Sequence, residues 1–360
     1  MNGPVLIMAG GTGGHVFPAL AVADELRRRA IDVVWLGTRR GIEARVVPAA
    51  NIDIDWLDVS GVRGKGFVAK LTAAAGLGRA LFQALRIVAR RRPSVVLGMG
   101  GFVSGPGGLA AWLLRRPLVI HEQNSVPGLT NRILSRLAGR VLCAFPGSFD
   151  QRPGVTVVGN PVRQGIAQSA PRPARDAQSV PRLLVLGGSQ GALALNRLVP
   201  GALAAMPVAA RPEVWHQAGE KTLADARSAY TAAGIDARLV PFIDDMAAAY
   251  RWADLVLCRA GALTVSELAL AGVASILVPF PYAVDDHQTG NAAYLKDAGA
   301  AFVVAESELS EARLARLLEE TLSKPDVLEE MARRARTLAR PDATRDVADV
   351  CLGLATGASS

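Results

Sequence analysis

Two stretches of this chain share one grammar, and together they restrict the folds open to it. Residues 5–18, VLIMAGGTGGHVFP, and residues 183–196, LLVLGGSQGALALN, each run from apolar residues through a glycine-rich turn with a hydroxyl residue into a helical pattern. A buried strand, a glycine turn and a helix form the opening unit of a parallel α/β sheet. Glycine lets the backbone approach a ligand closely, and helix-start amides at the positive end of the dipole favour a phosphate there. One such turn is as readily a packing device. Two, one in each half, point to two domains and a nucleotide-type ligand. Neither is the dinucleotide fingerprint: Gly11, Gly13 and Gly14 miss the GxGxxG spacing, no GKS or GKT follows, and no acidic residue closes the strand near Leu36.

At 360 residues the chain is long enough for two domains, each burying its own core. Its 50% apolar and 5% aromatic content suits a globular α/β protein. No apolar run approaches the roughly 18 to 20 residues a bilayer span needs, and no basic segment precedes the first strand, so a cytoplasmic protein is expected. Cys143, Cys258 and Cys351 lie far apart among apolar neighbours, without metal-site spacing. Buried thiols in a reducing compartment are the expectation.

Charge is unequally shared. Residues 1–163 carry 21 Lys and Arg against 9 Asp and Glu, whereas residues 164–360 carry 19 against 23. A basic first half suits nucleic acid, an anionic membrane or an anionic substrate, unless it reflects only an Arg-rich composition. No helix-turn-helix, RRM or zinc spacing accompanies it and aromatics are few, so no nucleic-acid partner is expected.

Along the chain, a helical pattern over 19–29 and a strand over 33–37 complete a first βαβ unit. Residues 46–58 mix apolar pairs with acidic residues, and the glycine- and cation-bearing SGVRGKGF (60–67) marks a loop. The spacing predicts a long helix over 70–92, with Leu77, Leu81, Leu85 and Val88 on one face amid Lys70, Arg79, Arg86, Arg90, Arg91 and Arg92. That stripe reads as core. Phe67 and Phe82 lie off it, and apolar groups ringed by cations also suit a membrane interface. Strands over 94–98 and 117–121 lead into GMGGFVSGPGG and HEQN. Polar residues at the carboxyl ends of parallel strands are where open α/β sheets bind ligands, so 10–15, 98–104 and 121–124 are expected along one rim. Residues 164–181 lack periodicity and mark the domain boundary. In the second half Thr264 and Glu267 open a helix over 263–271; a carboxylate there also stabilises the helix dipole by about 0.3 to 1 kcal/mol.

Taken in order, GGTGGHVFPALAVA, GMGGFVSGPGGLAAW, HEQN, VGNPVR, GGSQGA, FIDDMAAAY, CRAGALTVSEL and DDHQTGNA resemble the MurG family of bacterial peptidoglycan N-acetylglucosaminyltransferases, from about Val5 to Asp342. The resemblance implies a GT-B fold: two Rossmann-like α/β domains facing across a cleft, an acceptor and membrane domain over 1–163 with the helix over 341–360 packed back on it, and a UDP-sugar domain over 164–340. It implies transfer of N-acetylglucosamine from UDP-N-acetylglucosamine to the C4 hydroxyl of a lipid-linked N-acetylmuramyl-pentapeptide, with inversion. It further implies a peripheral location on the cytoplasmic face of the inner membrane, with cell-wall synthesis proteins as possible partners.

Position by position, the resemblance gives Glu267 the ribose hydroxyls, the Ile243 backbone the uracil, and Phe242 a place over the ring. Ser189 and Arg163 meet the diphosphate, with helix-start amides from Ala262, Leu263 and Thr264 and neighbouring Val265 and Ser266. Gln288 reads the transferred sugar, while Asn124 and the turn residues Thr12, Gly13 and Gly14 contribute from the first domain. Preorganised amides and a cation would stabilise charge developing on the diphosphate. Asp244-Asp245 and Asp285-Asp286 are adjacent pairs rather than a spaced metal-binding pair, and no metal or other cofactor is expected. A membrane patch of Phe67, Leu71, Arg79, Phe82, Arg86 and Trp112 is implied. The muramyl hydroxyl needs a base. Of the 4 histidines, His216 stands at a strand end and His121 and His287 in polar turns, whereas His15 lies on the first-domain turn where the resemblance places the acceptor. His15 is the candidate base, or else caps its helix or binds the acceptor diphosphate. A UDP-N-acetylglucosamine 2-epimerase of the same fold is the alternative enzyme; the basic helix over 70–92 weighs against it.

Overall fold

The computed structural model describes residues 3–59, 67–149, 152–168, 179–188 and 191–357, without the side chains of 67–74 and 284. The chain divides into two compact units, residues 1–163 with 342–360, and residues 164–341.

The first unit runs β1 (Val5–Met8), α1 (Gly13–Arg28), β2 (Val33–Gly37), α2 (Glu43–Ala49), β3 (Asp53–Trp56), α3 (Phe67–Arg91), β4 (Val95–Gly98), α4 (Ser104–Leu113), β5 (Leu118–Glu122), α5 (Leu129–Leu134), β6 (Arg140–Cys143) and β7 (Val155–Val157). Its strands pair in parallel in the order β3-β2-β1-β4-β5-β6-β7. Alternate strand residues serve opposite faces. Val5, Ile7, Trp35, Val95 and Leu97 pack with Val16, Val22 and Leu26 of α1 and with Val347, Ala348 and Cys351 of the C-terminal helix, Ala343–Thr356. Leu6, Met8, Leu36, Val96 and Ile120 pack with Ala84, Ile87 and Val88 of α3, Ala110 and Ala111 of α4 and Leu134 of α5. Covering both faces is what a parallel sheet requires, and it explains strands that are apolar throughout. The C-terminal helix is tied down further by an Arg29–Asp349 ion pair and by the Thr344 hydroxyl donating to Val162 O at 3.3 Å.

The second unit runs α6 (Gln164–Ala167), β8 (Arg182–Leu186), α7 (Leu193–Ala205), β9 (Glu213–Gln217), α8 (Leu223–Ala233), β10 (Arg238–Val240), α9 (Met246–Trp252), β11 (Leu255–Cys258), α10 (Ala262–Ala271), β12 (Ala274–Leu277), α11 (His287–Asp297), β13 (Ala301–Val303), α12 (Glu311–Leu322) and α13 (Pro325–Thr337). The parallel order is β10-β9-β8-β11-β12-β13. Each sheet reverses its strand order beside its first strand, β1 against β4 and β8 against β11. That is the switch point at which such sheets open a crevice for ligands.

Several expectations need correction. α1 begins at Gly13 rather than residue 19, with Pro18 inside it. Proline there costs the one bond that an amide at 18 would make to Gly14 O. Residues 43–49 form a helix where only apolar pairs were read. The core face of α3 is Ala80, Ala84, Ile87 and Val88, at helical spacing, and Leu77 is 56% exposed. The stripe is therefore rotated by one residue from the leucine series. Nor do all the α3 cations ring that helix's apolar groups. Arg90 and Arg91 bond Asp55 on β3 at 2.6 and 2.8 Å, and Arg79 pairs weakly with Asp58 at 3.4 Å.

Candidate active site

In the first unit the carboxyl edge is assembled by buried polar groups. The backbone ladder of α1 starts on Thr12 O, which accepts from His15 N and Val16 N, both at 3.2 Å. The amides of Gly13 and Gly14 precede that ladder. Behind the turn, the fully buried Glu43 accepts from Gly11 N at 2.9 Å, from Thr38 N at 3.0 Å and from the Thr38 hydroxyl at 2.7 Å. One carboxylate thus joins the exits of β1 and β2. The second glycine turn folds onto the first: Gly100 and Gly101 have φ of +101° and +83°. A Cβ at Gly101 would lie 2.3 Å from Gly10 O, and one at Gly100 would lie 2.7 Å from His15 Cδ2. Both positions therefore need glycine, in conformation and in space. Ser104 locks the turn: its hydroxyl donates to Gly100 O at 2.9 Å and accepts from Gly100 N at 3.2 Å. His15 is half-buried, with its ring against Gly100.

HEQN is not a polar turn. His121 and Glu122 end β5 and are buried, because the strand carries them under the rim before the chain turns. His121 Nε2 donates to Gly159 O at 2.9 Å and Nδ1 accepts from Gln123 Nε2 at 3.2 Å, which assigns the neutral tautomer. Burial pulls its pKa down to about 4. Glu122 accepts from Asn124 N at 3.0 Å, Gly128 N at 3.2 Å and Asn131 Nδ2 at 2.9 Å. Asn124 is half-buried on this framework, and its carbonyl accepts from the Ser148 hydroxyl at 3.1 Å. Arg163 stacks over Phe17 of α1, 4.9 Å from the ring centroid.

The second unit puts side chains at its edge. Gln217 fastens the exit of β8 by accepting from Gly188 N and donating to Gly188 O and Pro241 O, each at 3.0 Å. Phe242 follows β10 and is 46% exposed, whereas Ile243 is buried. The ladder of α10 starts with Val265 N on Gly261 O at 2.9 Å, so the amides of Ala262, Leu263 and Thr264 lie in the turn before it. Ser266 turns its hydroxyl back to Ala262 O at 3.0 Å. Glu267, one turn on and 8% exposed, accepts from the Tyr250 hydroxyl at 2.8 Å. Gln288 Oε1 accepts from Phe280 N at 2.9 Å. His287 opens α11 rather than sitting in a turn, and His216 lies buried within β9 with its pKa pulled down to about 3. Ser189 lies outside the described residues, as do the side chains of Phe67 and Leu71.

Three residues that the sequence reading left without a role belong to this frame. Glu43 and Tyr250 are two of them. Arg259 is the third: it donates to Val278 O at 3.2 Å, pairs with Glu306 and stacks on Phe280 at 5.5 Å, so it holds the turn that Gln288 caps. Its place in CRAGALTVSEL, just after an apolar strand, was the available signal.

Two doubly wound parallel sheets with glycine-rich turns at their carboxyl edges define the GT-B class of glycosyltransferase folds. Residues 5–143 match the glycosyltransferase family 28 N-terminal domain and residues 182–347 the family 28 C-terminal domain. The chain is 60% identical over 355 residues, 98% of its length and 99% of the relative's, to the UDP-N-acetylglucosamine–N-acetylmuramyl-(pentapeptide) pyrophosphoryl-undecaprenol N-acetylglucosamine transferase of Alkalilimnicola ehrlichii. It superposes on the crystal structure of Acinetobacter baumannii MurG with TM-score 0.85 and 44% identity, over 97% of this chain and 99% of that one. The chain belongs to the MurG family within glycosyltransferase family 28. A structure described as a UDP-N-acetylglucosamine 2-epimerase from Listeria monocytogenes shares the fold alone, at TM-score 0.65 and 13% identity over 96% of this chain and 95% of that one.

Proposed function

We infer that this protein transfers N-acetylglucosamine from UDP-N-acetylglucosamine to the C4 hydroxyl of a lipid-linked N-acetylmuramyl-pentapeptide, with inversion. The observation that carries this is 60% identity, along nearly the whole of both chains, to an enzyme named for that reaction. The epimerase reading has only a shared fold behind it.

On this reading the second unit holds the donor. Glu267 accepts from the ribose hydroxyls, the Ile243 backbone meets the uracil and Phe242 covers it. Gln288 donates to the sugar from its amide nitrogen, the oxygen being held by Phe280 N. Bond cleavage leaves charge on the diphosphate, and preorganised donors aimed there lower the barrier because they need no reorganisation. The first-turn amides of α10, Arg163 and Ser189 are assigned to that task. The first unit binds the acceptor along the turn Thr12–Gly14 and Asn124, and His15 takes the proton of the attacking hydroxyl. Among the described residues no helix is long and apolar enough to cross a membrane. Attachment to the cytoplasmic face of the inner membrane is assigned to α3 and α4, where Phe82 and Trp112 are 59% and 48% exposed and Arg86 stacks on Phe82 at 5.4 Å. Cell-wall synthesis proteins are the partners this location suggests.

The test is transfer of labelled sugar from UDP-N-acetylglucosamine to a lipid-linked muramyl acceptor, with a donor-only reaction alongside. Labelled lipid product is expected; its absence, or epimerised sugar from donor alone, overturns the reading.

A further inference from the structure

The carboxylate of Glu267 is held from behind. Tyr250, on α9, is 1% exposed, and its hydroxyl donates to Glu267 Oε2 at 2.8 Å. Burial first, and then the adjacent carboxylate, raise the phenol pKa well above its usual value, so it remains a donor. α9 is itself fixed at its start, where Asp245 Oδ1 accepts from Ala248 N at 2.9 Å. The tyrosine therefore projects from an anchored helix into a closed environment. A carboxylate offers about four lone-pair sites, so a bond from the tyrosine is compatible with accepting from ligand hydroxyls as well.

We propose that Tyr250 is a positioning residue for the donor: its hydroxyl fixes the plane of the Glu267 carboxylate so that the two ribose hydroxyls meet it together, which sets a preference for ribose over 2′-deoxyribose. This rests on the reading of Glu267 as the ribose-binding carboxylate. An untethered glutamate samples several rotamers, and binding has to freeze them; a tethered one has already been ordered by folding. The tether also decides what happens when a hydroxyl is missing. A carboxylate that cannot turn to another partner is left short of a hydrogen bond, and that is how a polar site rejects a deoxy analogue.

Calorimetric titration with UDP and 2′-deoxy-UDP separates the two claims. The unaltered protein should prefer UDP by about 100-fold. Equal affinities would remove Glu267 from the ribose and overturn this proposal with it. Given the preference, Tyr250→Phe, which deletes one oxygen, should reduce it about 10-fold by weakening UDP, with kcat at saturating donor within about twofold. A preference kept at its original value would overturn the role of Tyr250 and leave the ribose reading standing. In a Glu267→Ala background Tyr250→Phe should change UDP affinity by less than about twofold, because the group it acts through is gone. An equal loss in both backgrounds would make Tyr250 a general support of the fold and overturn the proposal. If Tyr250→Phe fails to fold, Glu267→Asp keeps the charge but withdraws it by one methylene from the tether. Loss of the UDP preference is again expected, and its full retention would overturn the proposal.

Discussion

The carboxyl edges of the two sheets are built on different plans. In the first unit the polar side chains turn inward: Glu43, His121, Glu122, Gln123, Asn131 and Asn160 are all buried and bond to one another or to the backbone. What remains at the surface is mostly backbone, shaped by glycines, with His15 half-buried among it. In the second unit Gln288 is half-buried and Glu267 8% exposed, each tethered by a partner, Glu267 by Tyr250 and Gln288 by Phe280 N, beside exposed aromatic rings at Phe242, Phe280 and Tyr282. The first plan shapes a surface and offers one titratable group. The second reads a ligand group by group. Buried networks of the first kind fail together, because every lost partner strands another polar group.

The largest expected effect is that of acid, which loads the buried framework of both units. His121 in the first unit and His216 in the second are buried neutral, with pKa values near 4 and 3 against an unfolded value of 6.5. Above pH 6.5 neither state binds the proton and stability is unaffected. As pH falls below 6.5 the unfolded chain protonates while the native one cannot, so stability drops until the folded pKa is reached. The loss amounts to about 3 kcal/mol for His121 and about 5 for His216. Urea unfolding of His121→Gln between pH 6 and 5 should show a slope lower by one proton, about 1.4 kcal/mol per pH unit. A slope equal to that of the unaltered protein would mean His121 is charged in the fold.

At the edges themselves a crossed pattern is expected. Glu267→Ala should lower kcat/KM for the donor by about 100-fold or more, through a lost charged hydrogen bond and the hydroxyls left unpaired. His15→Ala should lower turnover by roughly 100-fold with donor affinity little changed, the usual size of a general-base contribution. Steady-state kinetics varying each substrate in turn would check both. Collapse of acceptor affinity with turnover surviving at saturation would make His15 a binding residue. Near-normal donor kinetics would take Glu267 out of the site.

Much of the frame was legible in the residues. Apolar runs ending in glycine marked the strands, and β2 emerges with the bounds read for it, 33–37, because a parallel sheet buried on both faces leaves an unbroken apolar signature. Local signals failed where a nearby residue masked the pattern, as Pro18 hid the start of α1 and the leucines of α3 drew attention from the smaller Ala80 and Ala84 that face the sheet. At the site, a hydroxyl or carboxylate on a helix start could be found from spacing. The tethers could not: Gly11 and Glu43 are 32 residues apart, Tyr250 and Glu267 17, and which distant groups meet is decided by strand order rather than by any local period. His121 was misplaced for the same reason, since polarity alone does not tell a rim from the buried last residue of a strand.

The smallest expected effect concerns the outer surface. The first unit is basic and the second acidic, yet Arg90 and Arg91 are occupied by Asp55, so the charge facing a membrane is less than the sequence total suggests. Arg86 differs, lying over the exposed ring of Phe82, where a cation and an apolar group reach an interface together. Each basic residue near an anionic surface contributes on the order of 1 kcal/mol, so Arg86→Ala should weaken binding to anionic vesicles about 5-fold at low salt. Arg333→Ala, on α13 and paired with Glu330, should leave it unchanged. Vesicle co-sedimentation across a salt series would measure both, and binding should fall for every variant as salt screens the charge. Equal losses from the two substitutions would show that net charge alone governs attachment, and binding to neutral vesicles at any salt would remove the basic patch from the account altogether.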